Sequence, residues 1–269
     1  MLCFPNAKIN LGLSILRKRP DGFHDLESVF YPVGWSDALE ILPASELSFQ
    51  QSGITIPGNS ADNLCLKAFL LLHQDFDIPF VKIHLHKAIP IGAGLGGGSA
   101  DASFTLIALN ELFELNLPVD ILQQYARRLG SDCAFFIENK PVLCFEKGDV
   151  FQEVKLDLKG KYIVMVYPGI HISTAEAYQN VVPKLKEISV RDIVHTSISD
   201  WKKVLKNDFE ENLFLKYPIL AAIKQTLYEN GAIYASMSGS GSTVFGIFEE
   251  PASLESLFPA EYQLWQGEL

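Results

Sequence analysis

Between residues 90 and 100 the chain reads Pro90-Ile91-Gly92-Ala93-Gly94-Leu95-Gly96-Gly97-Gly98-Ser99-Ala100, a density of glycine that suits one kind of chemistry. Without Cβ atoms, successive backbone N–H groups can converge on one anion, and a helix starting just beyond adds favourable partial charge. A triphosphate meets that need. Lys8 and Asn10 stand two positions apart, so on an extended strand their side chains share a face, and Gly12 leaves room beside them for a ligand. A late segment, Gly239-Ser240-Gly241, can present further N–H groups to a phosphate. A carboxylate such as Asp132 can accept a hydroxyl proton while an ammonium such as Lys8 stabilises the forming alkoxide. Each also has a plainer reading, Asp132 as the cap of the next helix and Lys8 as a solvated strand residue.

Other glycine-rich loops fit less well. A flexible surface link seldom leads straight from a strand into an amphipathic helix. A Walker A loop needs Lys then Ser or Thr after its last glycine, and no Gly-Lys-Ser or Gly-Lys-Thr occurs in the chain. Gly92-x-Gly94-x-x-Gly97 satisfies the bare dinucleotide pattern, but that fold wants the glycines tight against a strand and an acidic residue ending the next strand. Here Lys87 to Pro90 intervenes, and Glu111 and Glu114 fall in a predicted helix.

The elements that must position these residues follow from periodicity. Ile9, Leu11, Leu13 and Ile15 alternate with Lys8, Asn10, Gly12 and Ser14, which predicts a strand with one face in a core. Pro20-Asp21-Gly22 is turn chemistry, so a hairpin into an extended stretch from Leu26 to Pro32 is expected. A helix is predicted over residues 62 to 73 with Asp62 as its cap, then a strand from Phe80 to His86. From Ser99 a helix carries Phe104, Ile107, Ala108 and Leu112 on one stripe. Leu122, Tyr125, Ala126 and Leu129 mark another, ended by Gly130, which puts Ser131-Asp132 at a helix exit. A boundary is expected between Glu146 and Gly160, then a strand Tyr162 to Tyr167. Helices near 174–181, 199–205 and 219–230 and strands flanking Ser238 to Ser242 complete the chain. Hairpins mixed with helices favour an α+β fold over a doubly wound sheet.

The 269 residues exceed one typical domain of roughly 100 to 200 residues, and 48% hydrophobic with 20% charged residues is the balance of a packed protein. A formal charge of -10 argues against nucleic-acid or anionic-membrane partners, which select for excess Lys and Arg. The first eight residues lack a secretory leader, and no apolar run approaches the ~18 residues of a membrane span. Cys3, Cys65, Cys133 and Cys144 are scattered without a Cys-x-x-Cys pair, as suits reduced thiols in a cytoplasm. His84 and His86 share a strand face, but no third ligand lies near in sequence, so no metal site is assigned.

Taken together, Pro90-x-x-x-Gly94-Leu95-Gly96-Gly97-Gly98-Ser99-Ala100, the N-terminal Ala7-Lys8-Ile9-Asn10-Leu11 and the late Ser236-Met237-Ser238-Gly239-Ser240-Gly241-Ser242-Thr243 resemble the three motifs of the GHMP kinases. The resemblance covers nearly the whole chain. It implies an N-terminal domain like ribosomal protein S5 domain 2 (residues 1–150), a C-terminal ferredoxin-like domain (151–269), and a site in the cleft between them. It also implies ATP and Mg2+ as cofactors. Arg19-Pro20-Asp21-Gly22-Phe23-His24-Asp25-Leu26, Leu129-Gly130-Ser131-Asp132 and the triple-glycine loop resemble one branch more closely. That branch phosphorylates the 2-hydroxyl of 4-diphosphocytidyl-2-C-methyl-D-erythritol in the non-mevalonate isoprenoid pathway.

Under that resemblance Lys8 and Asp132 are the central catalytic pair, and residues 90 to 100 hold the phosphates. Lys87, three positions ahead of the loop proline, supplies a cation, against a plain strand-end charge. Ser99 touches phosphate or magnesium unless it merely caps its helix. His24 reads a cytosine edge, Phe23 and Tyr178 stack on its faces, Asn10 binds diphosphate or polyol, and Gly239 and Ser240 meet a phosphate. Phe23 replaces the family's more common Tyr. Asn63 and Lys67 are weaker candidates for the adenosine end. Two alternatives stand beside this: a GHMP kinase acting on mevalonate or homoserine, or a nucleotide-binding regulator without chemistry. Monomer and homodimer are both open.

Overall fold

The computed structural model describes residues 1–269 and divides into two compact units. One comprises Met1–Ala7, Trp35–Ile91 and Gly96–Lys140; the other comprises Lys8–Gly34, Gly92–Leu95 and Pro141–Leu269. These units differ from the chain-order division at residue 150. The strands Asn6–Lys18 and His24–Ser36 and the glycine run each contribute to both.

The first unit holds a mixed sheet in the order Leu2–Cys3, Ala38–Pro43, Val81–Lys87, Ser48–Gly53. The last two strands run parallel, which requires a crossover, and the chain between them carries the helix Leu64–Phe76. Its cap is Asn63, whose side-chain oxygen accepts the Cys65 N–H at 2.8 Å, and not the expected Asp62, which closes a short 3-10 turn. The helix Gly97–Leu112 begins two residues before the expected Ser99 and buries most of its circumference, including Ala100, Asp101, Ala102, Thr105, Leu106 and Leu109. The expected stripe is only partly inside, since Phe104, Ile107 and Leu112 are half-buried. Small residues elsewhere on the helix let Leu64–Phe76, Val119–Leu129 and Cys133–Glu138 pack around it.

The second unit has two sheets. Tyr234–Met237, Val244–Phe248, Tyr162–Tyr167 and Gln263–Glu268 pair antiparallel in that order, and the helix Pro218–Glu229 packs on the first two. The other sheet runs Asn6–Lys18, His24–Ser36, Val142–Phe145, Val150–Glu153. Ile9, Leu11 and Ile15 are fully buried, each burial contributing about 1.5–3 kcal/mol. The opposite face of that strand is buried too, with Lys8, Asn10 and Ser14 inside. Leu205 and Val190 pack onto Gly12, so the space expected there for a ligand is filled by side chains. Antiparallel sheets with helices grouped beside them are the α+β arrangement. No helix is long and apolar enough to cross a membrane.

Candidate active site

Within the second unit, three motifs distant in sequence meet at one peptide. The Gly94 carbonyl accepts the Ser238 hydroxyl at 2.9 Å and the Lys8 ammonium at 3.3 Å, while the Lys8 N–H donates to the Leu95 carbonyl at 2.9 Å. Gly94 has φ +80°, and a Cβ there would collide with the Ser238 carbonyl oxygen, so this crossing demands glycine. Ala93 and Leu95 point inward as anchors, whereas Gly92 and Gly98 stay exposed. The imidazole of His171 stands against Gly92.

Lys8 is only 3% exposed. Its ammonium bonds to the amide oxygen of Asn10 at 2.6 Å and lies 4.7 Å from the Phe30 ring centroid. The Asn10 amide nitrogen donates to Ser28 Oγ at 2.9 Å, and that hydroxyl donates to the Gly12 carbonyl at 2.6 Å. This relay fixes which end of the amide faces Lys8. The result is a buried ammonium fixed in place beside the glycine run, and a cation so positioned can stabilise negative charge.

The late glycine turn is held from behind. Asn207 Nδ2 donates to the Met237 and Gly239 carbonyls, each at 2.8 Å, and Glu210 accepts the Met237 N–H at 2.8 Å and the Ser236 hydroxyl at 3.0 Å. Gly239 is buried and Ser240 half-buried. Asn10 and the Gly94 carbonyl lie within 3.4 Å of where a Gly239 Cβ would stand.

His24 and Tyr178 come together, ring centroids 4.7 Å apart and planes 20° from parallel. Tyr178 in turn meets Phe209 edge-on at 4.9 Å. Partial burial, then the nearby Lys18 charge, holds the His24 imidazole below its ordinary range. Phe23 is 58% exposed, and the Lys147 ammonium lies 5.3 Å from its ring centroid. One face of Tyr178 is thus occupied by the His24 ring.

In the first unit, Gly96 occupies the cap of the helix Gly97–Leu112 with no side-chain cap bond, leaving first-turn N–H groups for a ligand. Ser99 lies inside that turn, which removes its capping alternative. Its carbonyl accepts the Ser103 hydroxyl at 2.9 Å. A Cβ on Gly98 would meet nothing nearer than Leu64 Cδ1 at 4.0 Å, so the space beside it is open. Asp132 takes the cap position of the helix Cys133–Glu138, yet its side chain makes no capping bond.

Lys87, expected as a cation for the phosphates, is 3% exposed, and its ammonium is paired with Asp37 and Asp101 inside the unit. Asp37, Asp101, Ser28, Asn207 and Ser238 were not singled out in the sequence. Only Ser238 carried a local signal, as part of the late motif.

Two family models match the chain: the GHMP kinases N terminal domain at residues 63–140 and the GHMP kinases C terminal at 189–260. A curated protein of Cytophaga hutchinsonii, 4-diphosphocytidyl-2-C-methyl-D-erythritol kinase, is 55% identical over 249 residues, 92% of each chain. A solved structure of 4-(cytidine 5'-diphospho)-2C-methyl-D-erythritol kinase superposes with TM-score 0.81 at 31% identity, covering 93% of this chain and 91% of the other. The mevalonate kinase of Methanococcus jannaschii has the same fold, with TM-score 0.73 at 16% identity over 99% of this chain and 97% of its own.

Proposed function

From the premise that the chain belongs to the GHMP kinases, and among them to the 4-diphosphocytidyl-2-C-methyl-D-erythritol kinases, we infer an ATP-dependent small-molecule kinase. It transfers the terminal phosphate of ATP to the 2-hydroxyl of 4-diphosphocytidyl-2-C-methyl-D-erythritol, a step in non-mevalonate isoprenoid synthesis. The observation that carries this reading is the Lys8 ammonium, buried and held between Asn10 and the phosphate-loop carbonyl of Gly94.

Phosphoryl transfer is mostly positioning and charge stabilisation. In this reading the N–H groups of residues 92 to 98 and the first turn of the following helix hold the triphosphate. Asp132 takes the proton of the acceptor hydroxyl as that oxygen bonds to the γ-phosphorus, and the bond to the β–γ bridging oxygen breaks to release ADP. Lys8 steadies the negative charge on the transferring group and the alkoxide. A magnesium ion bound with the triphosphate would neutralise charge there, and the Ser99 hydroxyl is the residue that would help to hold it.

His24, Phe23 and Tyr178 form the cytosine pocket, with His24 bonding the base edge and the two aromatic rings supplying apolar faces. Asn10, Gly239 and Ser240 serve the diphosphate and polyol. The four cysteines are free, in keeping with a cytoplasmic enzyme. The test is a pair of variants, Lys8→Met and Asp132→Asn. Both are expected to bind Mg-ATP within about twofold of wild type and to lose turnover by about 10²–10⁴. Undiminished turnover of Asp132→Asn would remove it as the base.

A further inference from the structure

The glycine run has few side chains with which to hold its own shape, and the residues flanking it supply a buried charged cluster instead. Lys87 ends the strand Val81–Lys87 before the run, and Asp101 lies in the helix that leaves it. Asp37 comes from a third segment, fully buried beside both. The Lys87 ammonium pairs with Asp37 Oδ2 and with Asp101 Oδ2, the latter at 2.7 Å. The second oxygen of Asp37 accepts the N–H groups of Ala88 at 2.6 Å and Ile89 at 2.8 Å, the two residues just ahead of Pro90. A Cβ added to Gly97 would stand 3.0 Å from Lys87 Nζ and 3.0 Å from Ile89 Cγ2. Lys87 therefore sits directly against the first turn of the loop helix.

Such a cluster is expensive. Each buried ion costs several kcal/mol of lost hydration, and an apolar trio of similar volume is often at least as stable. Two carboxylates share one ammonium, and Asp101 Oδ1 is buried with no hydrogen-bond partner. Burial pushes the Asp101 carboxyl up. Burial would lower Lys87, but Asp101 and Asp37 more than offset it and leave it raised. What the cluster supplies is directional: it ties residues 87 to 89, before the glycines, to residue 101, after them.

We propose that Asp37, Lys87 and Asp101 are positioning residues that clamp the two ends of the phosphate loop and aim its N–H groups, without touching the nucleotide. This rests on the reading of residues 90 to 100 as the ATP site. Glycine-rich backbone loses more conformational freedom on ordering than any other, so a clamp on both ends holds the loop in its binding shape before ATP arrives. Lys87 then acts through the loop, and its ammonium matters for the carboxylates it neutralises.

The charge balance gives the test. Full-length wild type, Asp37→Asn, Lys87→Met and the double variant Lys87→Met/Asp101→Asn are compared by calorimetric Mg-ATP binding, acceptor binding and thermal unfolding. Asp37→Asn and Lys87→Met are expected to weaken ATP binding about tenfold or more, the scale of a lost charged hydrogen bond, with acceptor binding within about twofold. The double variant restores the charge balance but not the tie between residues 87 and 101, so it is expected to resist heat at least as well as Lys87→Met while its ATP binding stays about as weak. ATP affinity within about twofold of wild type in the double variant would show that no tie is needed and overturn the proposal, as would unchanged or tighter ATP binding in Asp37→Asn, the result expected if a released Lys87 ammonium served the phosphates. If Lys87→Met does not fold, a folded double variant that binds ATP about tenfold or more weakly than wild type supports the proposal, and one that binds it as wild type does contradicts it. Wild type that binds no ATP would instead refute the kinase reading itself.

Discussion

Lys8 Nζ lies 2.6 Å from the side-chain oxygen of Asn10, whose nitrogen is in turn committed to Ser28 Oγ at 2.9 Å. A flexible ammonium is thereby held by an amide that cannot flip without losing both bonds. Catalysis by preorganised charge depends on this kind of restraint. Asn10→Ala is expected to lower kcat about 10- to 100-fold, the scale of one charge-assisted hydrogen bond, with the KM for ATP little changed. Ser28→Ala, which frees the amide to rotate, should give a smaller fall in kcat. Steady-state kinetics on both variants check the order.

Gly94 and Gly98 separate structural from functional need. A Cβ at Gly94 would strike the Ser238 carbonyl at a positive φ, whereas one at Gly98 meets open space. Gly94→Ala is expected to destabilise the chain by at least about 1–3 kcal/mol. Gly98→Ala should leave unfolding unchanged or raise stability by up to about 1 kcal/mol, yet weaken ATP, because the phosphates need that space. Thermal unfolding and nucleotide titration on both variants distinguish the two effects.

His24 predicts a pH dependence with a definite sign. Partial burial and Lys18 hold it below its ordinary value, so the neutral ring is the folded form at pH 7. Its contribution is present above the unfolded value, about 6.5, and is lost as pH falls through the lower folded value. Asp25 beside it is held below the usual carboxylate range by Arg19 and Arg17 and stays ionised in that window. The KM for the cytidyl acceptor should rise as pH drops below the ordinary imidazole range, while the KM for ATP does not. His24→Gln should flatten the acceptor profile.

Asn207 is 2% exposed and satisfies two buried carbonyls of the late glycine turn. Asn207→Ala orphans both and should cost about 2–4 kcal/mol, measured by denaturant unfolding. Asn207→Asp, unable to donate, should be no better.

How much of this was legible in the sequence depends on distance along the chain. The strand from residue 6, the glycine loop with its helix, the helix ended by Gly130 and the strands around the late glycines all announce themselves through local periodicity or turn chemistry. The strand Ser48–Gly53 does not, since Ser-Phe-Gln-Gln-Ser-Gly lacks apolar alternation and only its parallel pairing makes it a strand. Asn63 and Asp62 are both capping residues, so the choice between them is made by the 3-10 turn that precedes the helix. Lys87 is legible as a lysine next to the loop, but its pairing is not, because Asp37, one of the carboxylates that capture it, stands fifty residues upstream. Gly12 looked like open space because Leu205, which fills it, comes from a far segment. The motifs suggest one base pocket for His24 and Tyr178, but neither motif carries the stacking of one ring on the other.

The most direct test is ADP release by the purified protein with Mg-ATP and each of four acceptors: 4-diphosphocytidyl-2-C-methyl-D-erythritol, mevalonate, homoserine and galactose. Release with the cytidyl acceptor alone, lost in His24→Ala while ATP binding persists, is the expected result. Release only with one of the other acceptors would keep the kinase fold and contradict the substrate pocket assigned to His24, Phe23 and Tyr178.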